Sequence, residues 1–283
     1  MIEYPFYSKS KIKDFLEIRE AGIRKKWGQN FLTDPNTTQF IADSIPEDAI
    51  LNSEYFCEIG PGLGALTHRL GFLKQKLVLL EIDPILVENL KIAKYLNDNI
   101  EIIQGDAVST MLSLPDTSCY FLGNLPYYIT SELITSVLMN FSKINGAIFM
   151  VQKEFADRIV NETSSFSIFT KAFGNWKYLR KVNPTCFFPS PNAISSLIQF
   201  QPYEEKRFNK SEIKYLELIL RSFFWGKRKT LHKIISESPF LEIEHRDILA
   251  NLITEKEKGQ RPEDIIVSRY YELAKNLSNQ ISS

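Results

Sequence analysis

The fold of this chain can be inferred from residues 55–64, which read Tyr55-Phe56-Cys57-Glu58-Ile59-Gly60-Pro61-Gly62-Leu63-Gly64. The first five residues form an apolar run that is typical of a buried strand. Three glycines at alternate positions follow, and a helical pattern begins directly after them at Ala65. A strand, a glycine turn and a helix in this order indicate a nucleotide-binding site. The alternative is a glycine turn that only closes a strand–helix unit.

The spacing of the glycines narrows the choice of cofactor. The turn reads Gly-x-Gly-x-Gly, whereas dinucleotide sites favour Gly-x-Gly-x-x-Gly, in which the third glycine lets the helix pack closely. A nicotinamide-dependent oxidoreductase is therefore disfavoured. A cofactor without a phosphate, such as S-adenosylmethionine, needs only an open turn that the backbone can bring close to the ligand. Gly60 and Gly62 are the residues expected to make this approach.

Polar residues follow three further apolar runs. Glu81 ends the second run, about 20 residues beyond the glycines, where a ribose-binding acid is expected. Asp106 follows the third run and Asn124 ends the fourth. The carboxyl ends of parallel strands form the ligand-binding edge of an open α/β sheet, so these residues predict one cofactor site. Taken singly, Glu81 could be an exposed strand-end acid and Asp106 a helix N-cap.

Strand and helix patterns alternate from Tyr55 to about Gln201, which predicts a mainly parallel sheet with helices on both faces. The last two strands have no long helix between them, so they are expected to pair antiparallel. After Pro202 the patterns are helical only. We therefore predict two domains: a catalytic domain over residues 1–204, with an N-terminal helical extension at 1–45, and a helical domain over 205–283.

The loop Asn124-Leu125-Pro126-Tyr127 resembles the Asn/Asp-Pro-Pro-Tyr loops of methyltransferases that modify exocyclic amines. Together with Gln29-Asn30-Phe31-Leu32 it makes the chain, from about Arg24 to about Glu272, similar to the ribosomal RNA adenine N6,N6-dimethyltransferase family, in its bacterial small-subunit (16S) branch. The resemblance implies a class I S-adenosylmethionine-dependent methyltransferase (Rossmann-like) α/β fold with a smaller all-helical C-terminal domain. The implied reaction is dimethylation of two adjacent adenosines near the 3′ end of 16S rRNA.

The resemblance also assigns roles to residues. It implies that the catalytic residues are Asn124, Leu125, Pro126 and Tyr127. The residues that it implies for cofactor binding are Asn30, Leu32, Gly60, Gly62, Glu81, Asp106 and Asn124. Two acceptors, the Asn124 amide oxygen and the Leu125 carbonyl, would hold the hydrogens of the target amine, and no strong general base is needed. Tyr127 and Phe187 are expected to stack on an extruded base. The alternative for these two rings is a place in the hydrophobic core.

The formal net charge is zero, so attraction to RNA must come from local basic patches. The candidates are Arg24, Lys25 and Lys26 before the Gln29–Leu32 stretch, and Arg221, Lys227, Arg228 and Lys229 near the C-terminus. A solvated helix face is the alternative for both groups. The three cysteines fit neither a disulfide framework nor a zinc pattern, so no metal is expected. No membrane span is expected, and the predicted protein is a cytoplasmic monomer whose partner is 16S rRNA in the immature small ribosomal subunit.

Two alternative functions share this fold. One is a macrolide-resistance type dimethyltransferase that acts on 23S rRNA, and the other is a non-catalytic rRNA-binding assembly factor. The segments Lys227-Arg228-Lys229-Thr230-Leu231 and Gln260-Arg261-Pro262-Glu263 resemble the small-subunit branch. The chain departs from the family pattern at Asn192, where a lysine is common, and at Glu132, where proline is frequent. These departures concern RNA contact and leave the catalytic loop unchanged.

Overall fold

A computed structural model describes residues 3–19 and 29–281 of the chain. These residues belong to two compact units. The α/β unit contains the residues up to Ala156 together with Trp176–Pro202, and the helical unit contains Asp157–Asn175 and the chain from Tyr203 onward. Within the described ranges, none of the helices is both long enough and apolar enough to cross a membrane.

The described strands, in chain order, are β1 (Phe31–Leu32), β2 (Tyr55–Ile59), β3 (Lys76–Glu81), β4 (Ile100–Gln104), β5 (Cys119–Asn124), β6 (Ile144–Gln152), β7 (Gly174–Val182), β8 (Phe187–Phe188) and β9 (Ser195–Pro202). The described α-helices are α1 (Lys9–Ile18), α2 (Pro35–Asp43), α3 (Glu47–Asn52), α4 (Ala65–Arg69), α5 (Pro84–Ile92), α6 (Ala107–Met111), α7 (Thr130–Asn140), α8 (Lys153–Val160), α9 (Ser165–Lys171), α10 (Lys210–Trp225), α11 (Leu231–Glu237), α12 (Ile243–Leu252), α13 (Glu255–Lys258) and α14 (Val267–Ile281).

The main sheet has the strand order β4-β3-β2-β5-β6-β9-β7. The first five strands in this order, from β4 to β6, are parallel to one another. Strand β9 runs antiparallel to β6. Every residue of β2 is buried, as expected for a parallel strand that is covered on both faces. The predicted Rossmann-like α/β class is therefore confirmed. The sequence predicts that the last two long strands, β7 and β9, pair antiparallel. The two strands are neighbours in the sheet. On its other side, β9 pairs antiparallel with β6.

The order of the strands reverses at β2, and this reversal positions the site. In the sheet register, Ile59 at the end of β2 lies opposite Leu80 of β3 and Gly123 of β5. The residues that follow, Gly60, Glu81 and Asn124, therefore meet at one edge of the sheet. The crevice outside such a topological switch point is where open α/β sheets bind their ligands.

A short second sheet lies within the α/β unit. Strand β1 pairs antiparallel with β8, with Phe31 opposite Phe188 and Leu32 opposite Phe187. Just beyond β1, Asp34 caps helix α2, because its carboxylate accepts a hydrogen bond from the Thr37 N–H at 3.0 Å. The pairing and the cap together fix the path of the chain from β1 into α2.

The helical unit has its own apolar core. Leu216, Ile219 and Phe223 of α10 are buried with Leu273 and Leu277 of α14. Helix α9 and the residue after it also contribute to this core, through Ile168, Phe169 and Ala172.

The segment Asp157–Asn175 therefore belongs to the helical unit, although the sequence placed it within a catalytic domain ending at residue 204. The cause is non-local: the apolar side of this segment is covered by helices that come more than 30 residues later in the chain. The catalytic and RNA-contacting roles assigned to the two domains stay predictions.

Candidate active site

The glycine turn between β2 and α4 adopts a backbone that only glycine tolerates easily. Gly60 and Gly62 have φ angles of +67° and +60°, in the left-handed region where a Cβ is strained. The Gly60 N–H donates to the Leu80 carbonyl at 2.9 Å, so the turn leaves directly from the edge of the sheet. A Cβ added to Gly62 would stand 3.3 Å from the Phe31 ring. Substitution in this turn would therefore strain the backbone, and at Gly62 it would also crowd the β1 segment.

Glu81 is buried, with only 5% of its surface exposed. One carboxylate oxygen accepts the Gly62 N–H at 3.0 Å, and the other accepts the Asp83 N–H at 2.9 Å. Burial raises the pKa of Glu81, and these backbone hydrogen bonds oppose the rise. The alternative of an exposed strand-end acid is therefore wrong. Glu81 holds the glycine turn, and its oxygens retain lone pairs for further donors.

Asp106 follows β4 and caps helix α6. Its Oδ1 accepts hydrogen bonds from the Ser109 N–H at 3.0 Å and from the Ser109 hydroxyl at 3.2 Å. The N-cap predicted as an alternative is therefore present. The same residue also lines the cavity beside Glu81, so capping and ligand contact are compatible.

Asn124 is held by a specific partner. Its Nδ2 donates to the backbone carbonyl of Asn30 at 3.0 Å, which fixes the side-chain amide and directs Oδ1 away from that carbonyl. The next peptide is fixed as well, because the Leu125 N–H donates to the Met150 carbonyl at 3.0 Å. Gly123 allows this close packing, since a Cβ there would lie only 2.7 Å from the Ile59 carbonyl oxygen.

The aromatic residues predicted to stack on a base differ in exposure. Tyr127 is half-buried, and its hydroxyl lies 2.6 Å from the Ser195 hydroxyl; burial raises its pKa. Phe187 is completely buried in the core of the α/β unit, where it lies opposite Leu32. The prediction that Phe187 offers a ring face to a base is therefore not met in this structure. The partly exposed ring next to it belongs to Phe188.

These elements line one cavity that opens to solvent. Its walls contain most of the predicted cofactor residues, namely Asn30, Gly60, Gly62, Glu81, Asp106 and Asn124, together with Pro126 of the catalytic loop. The predicted residue Leu32 lines an adjoining inner cavity that shares the glycine turn and Asn124. The glycines of the turn, the buried carboxylate and the apolar walls fit a nucleoside-containing cofactor such as S-adenosylmethionine.

Sequence reasoning missed several residues of this site. Phe31, Gly105 and the exposed Tyr128 line the main cavity. The inner cavity is lined by Glu58 and Tyr4. Of these, Glu58 carries a sequence signal, since it is a charged residue inside an apolar strand pattern.

Glu58 is 3% exposed, and the Thr67 hydroxyl donates to one of its oxygens at 2.7 Å. Burial raises the pKa of Glu58 to about 7, and the nearby Glu81 adds to the rise. A carboxylic acid in this position can therefore gain or lose a proton near neutral pH.

The predicted RNA-binding residues differ in their exposure and in the groups that they contact. Arg24, Lys25 and Lys26 lie outside the described residues. In the helical unit, the Arg221 guanidinium lies 4.0 Å from the centroid of the Phe240 ring. The Lys229 ammonium is 2.7 Å from the Glu237 carboxylate and also lies over the Trp225 ring. Lys227 and Arg228 are exposed.

Known proteins that are similar to this chain agree with the cofactor site inferred from the geometry. The sequence model of a family described as ribosomal RNA adenine dimethylase matches residues 21–261. The ribosomal RNA small subunit methyltransferase A of Shewanella amazonensis is 33% identical over 267 residues, which is 90% of this chain and 94% of the relative. The protein of that name from Vibrio atlanticus is 31% identical over 264 residues, covering 89% of this chain and 92% of its own length.

Two solved structures share the fold. A dimethyladenosine transferase from Plasmodium falciparum aligns with a TM-score of 0.71 at 24% identity, over 86% of this chain and 95% of that chain. The 23S rRNA methyltransferase ErmE aligns with a TM-score of 0.64 at 24% identity, over 88% of this chain and 99% of that chain. The comparisons confirm the predicted cofactor, S-adenosylmethionine, and the predicted class of activity, rRNA adenine dimethylation. The chain belongs to the ribosomal RNA adenine dimethylase family.

Proposed function

We propose that this protein dimethylates the exocyclic amines of two adjacent adenosines near the 3′ end of 16S rRNA in the immature small ribosomal subunit. The observation that carries the proposal is the position of Asn124-Leu125-Pro126-Tyr127, which leaves β5 beside the cavity that contains Glu81 and the glycine turn. The curated relatives at 31–33% identity, which are small-subunit methyltransferases, support the choice of 16S rRNA.

The cofactor, when bound, supplies the methyl group, and the chain's own residues position the acceptor amine. The lone pair of an adenine amine is delocalised into the ring, so the amine is a poor nucleophile. The Asn124 Oδ1 and the Leu125 carbonyl would accept its two hydrogens and favour a pyramidal nitrogen. The Asn124 amide is preorganised by the Asn30 carbonyl, and the peptide between Asn124 and Leu125 is fixed by the Leu125 N–H bond to the Met150 carbonyl. Catalysis then rests on positioning rather than on a strong base.

The base itself would be held by stacking. Tyr127 remains the first candidate, since it belongs to the catalytic loop and its hydroxyl is anchored on Ser195. Phe187 can take part only if the segment that covers it moves, whereas the ring of Phe188 is already partly exposed. Stacking of an aromatic side chain on a base contributes about 1–3 kcal/mol.

The finer points of partner and location are part of the same proposal. We expect a monomer that acts in the cytoplasm, where small subunits would be assembled. Arg24, Lys25 and Lys26 would contact RNA near the entrance of the site. The exposed Lys227 and Arg228 of the helical unit would supply further phosphate contacts.

The test is to incubate the protein with labelled S-adenosylmethionine and small-subunit particles that lack the modification, and then to map the modified bases. Large-subunit particles and naked 23S rRNA serve as parallel substrates. Two dimethylated adjacent adenosines in 16S rRNA are expected. Label in 23S rRNA would support the macrolide-resistance alternative, and particle binding without any label would support the non-catalytic assembly factor.

A further inference from the structure

The N-terminal arm, defined here as residues 3–19, precedes the family match, which begins at residue 21. It is nevertheless built into the α/β unit. Ile12 is completely buried, and Phe6 and Leu16 are each 8% exposed in the same core that contains the glycine-turn residue Leu63. An appendage without a role in the fold would not bury these side chains.

Tyr4 connects the arm to the glycine turn. Its ring is 3% exposed, stacks on His68 with centroids 5.7 Å apart, and meets Tyr95 edge-on at 5.3 Å. The Tyr95 hydroxyl donates to the carbonyl of Leu63 at 3.0 Å. Because Leu63 lies between Gly62 and Gly64, Tyr4 is one side chain removed from the turn.

Tyr7 connects the arm to the helices around the turn. Its hydroxyl lies 2.9 Å from the Thr38 hydroxyl in α2, and it accepts a hydrogen bond from the Arg69 Nε at 3.0 Å. Arg69 ends helix α4, which begins directly after the glycine turn. The arm therefore fixes both the back of the turn and the far end of the helix that follows it.

Helix α1 of the arm also contacts the segment that contains Thr185 and Phe188. The Lys9 ammonium donates to the Thr185 carbonyl at 3.2 Å, and the Lys13 ammonium lies 5.8 Å from the centroid of the Phe188 ring. Phe188 pairs in turn with Phe31 across the β1–β8 sheet. Through these contacts the arm reaches both the surroundings of the glycine turn and the β1–β8 sheet.

We propose that the N-terminal arm is a positioning element of the active site, in which Tyr4 holds the glycine turn in its cofactor-binding conformation through Tyr95 and His68. The turn has to keep Gly60 and Gly62 at positive φ. Glu81 holds it at the Gly62 N–H, and Tyr95 holds it at the Leu63 carbonyl. Inside a close-packed interior, loss of one large ring leaves a void into which Tyr95 can shift, and the Leu63 carbonyl then loses its donor. The proposal rests on the cofactor site and on the proposed methyl transfer, but not on which rRNA is the substrate.

The test measures affinity for S-adenosylhomocysteine, the product form of the cofactor, by calorimetry on full-length variants. Tyr4→Ala should raise Kd about tenfold, equivalent to ~1.4 kcal/mol. Tyr4→Phe keeps the ring and should bind as the parent does. Ile12→Ala is the matched control: it removes a fully buried side chain of helix α1, eight residues beyond Tyr4 in the same arm. It should lower the melting temperature without changing Kd.

Unchanged affinity in Tyr4→Ala, or an equal loss of affinity in Ile12→Ala, would overturn the proposal. If Tyr4→Ala does not fold, Tyr95→Phe tests the same link, because it deletes only the hydroxyl that donates to Leu63. A several-fold higher Kd is then expected, and parent-like binding would count against the proposal. Since no RNA enters the measurement, a wrong rRNA substrate would leave its result intact.

Discussion

Replacement of Asn124 by alanine tests the centre of the proposed mechanism. The side-chain amide is fixed by its hydrogen bond to the Asn30 carbonyl at 3.0 Å, so its oxygen is a preorganised acceptor. Alanine removes this acceptor but keeps the backbone, including the Leu125 N–H bond to Met150. We therefore expect cofactor and RNA binding to persist while the rate of methyl transfer falls.

The size of the fall in rate distinguishes a catalytic role of Asn124 from a structural one. Removal of one preorganised group that interacts in the transition state typically lowers a rate about 10²- to 10³-fold, or ~2.7–4 kcal/mol. An ordinary structural hydrogen bond is worth ~1 kcal/mol net, which corresponds to a change of about fivefold. The Asn124→Asp variant retains an acceptor but cannot donate to the Asn30 carbonyl at neutral pH. Its rate should lie between those of the parent and the alanine variant.

The assay is single-turnover methylation of small-subunit particles, with enzyme and cofactor in excess, because this reports the chemical step rather than binding. Cofactor Kd, measured by calorimetry on the same preparations, separates a loss of occupancy from a loss of rate. A single-turnover rate for Asn124→Ala within about fivefold of the parent would refute the catalytic role. A parent-like rate for Asn124→Asp would show that the bond to Asn30 does not orient the acceptor.

Three further predictions follow from burial and charge. Glu81→Gln should weaken cofactor binding by about 1.5–3 kcal/mol, measured by calorimetry, because both the Gly62 and the Asp83 N–H lose a charged acceptor and the glutamine oxygen can accept from only one of them. Glu81→Lys should strongly lower the melting temperature, since it buries a cation. The free energy of unfolding should fall by up to ~3 kcal/mol as pH rises from about 4.5 to about 7, because the folded state holds a proton on Glu58 that the unfolded state has lost. Glu58→Gln should flatten this fall in denaturant titrations, and an unchanged pH slope would contradict the assignment. The double change Lys227→Glu and Arg228→Glu should reduce the slope of log affinity against log salt concentration, measured for particle binding, by about 0.7–0.9 per lost phosphate contact. The cofactor Kd should stay unchanged. Equal slopes for the parent and the variant would leave these two residues without a role in RNA binding.

The sheet and the edge at which the site lies can be predicted from local sequence patterns. Apolar runs alternating with helical patterns predict a parallel sheet, and the residue after each run marks the ligand-binding edge. Glu81, Asp106 and Asn124 could be placed together in this way, because the strand pattern is local and parallel strands bring their carboxyl ends to one edge of a sheet. The family could be identified from the catalytic loop for a similar reason: its residues are adjacent in the chain.

Which side chains are buried, and which groups they contact, becomes evident only from the packing of segments that are distant in the chain. The sequence predicts Glu81 as a ribose-binding acid and leaves an exposed strand-end acid as the alternative; the structure buries it and places it against the glycine turn. Phe187 reads as a stacking ring, yet it is buried in the core. Tyr4 had no assigned role, yet it supports the turn from more than 50 residues away. Burial of a side chain depends on which distant segment packs over it, and local periodicity carries no information about that partner.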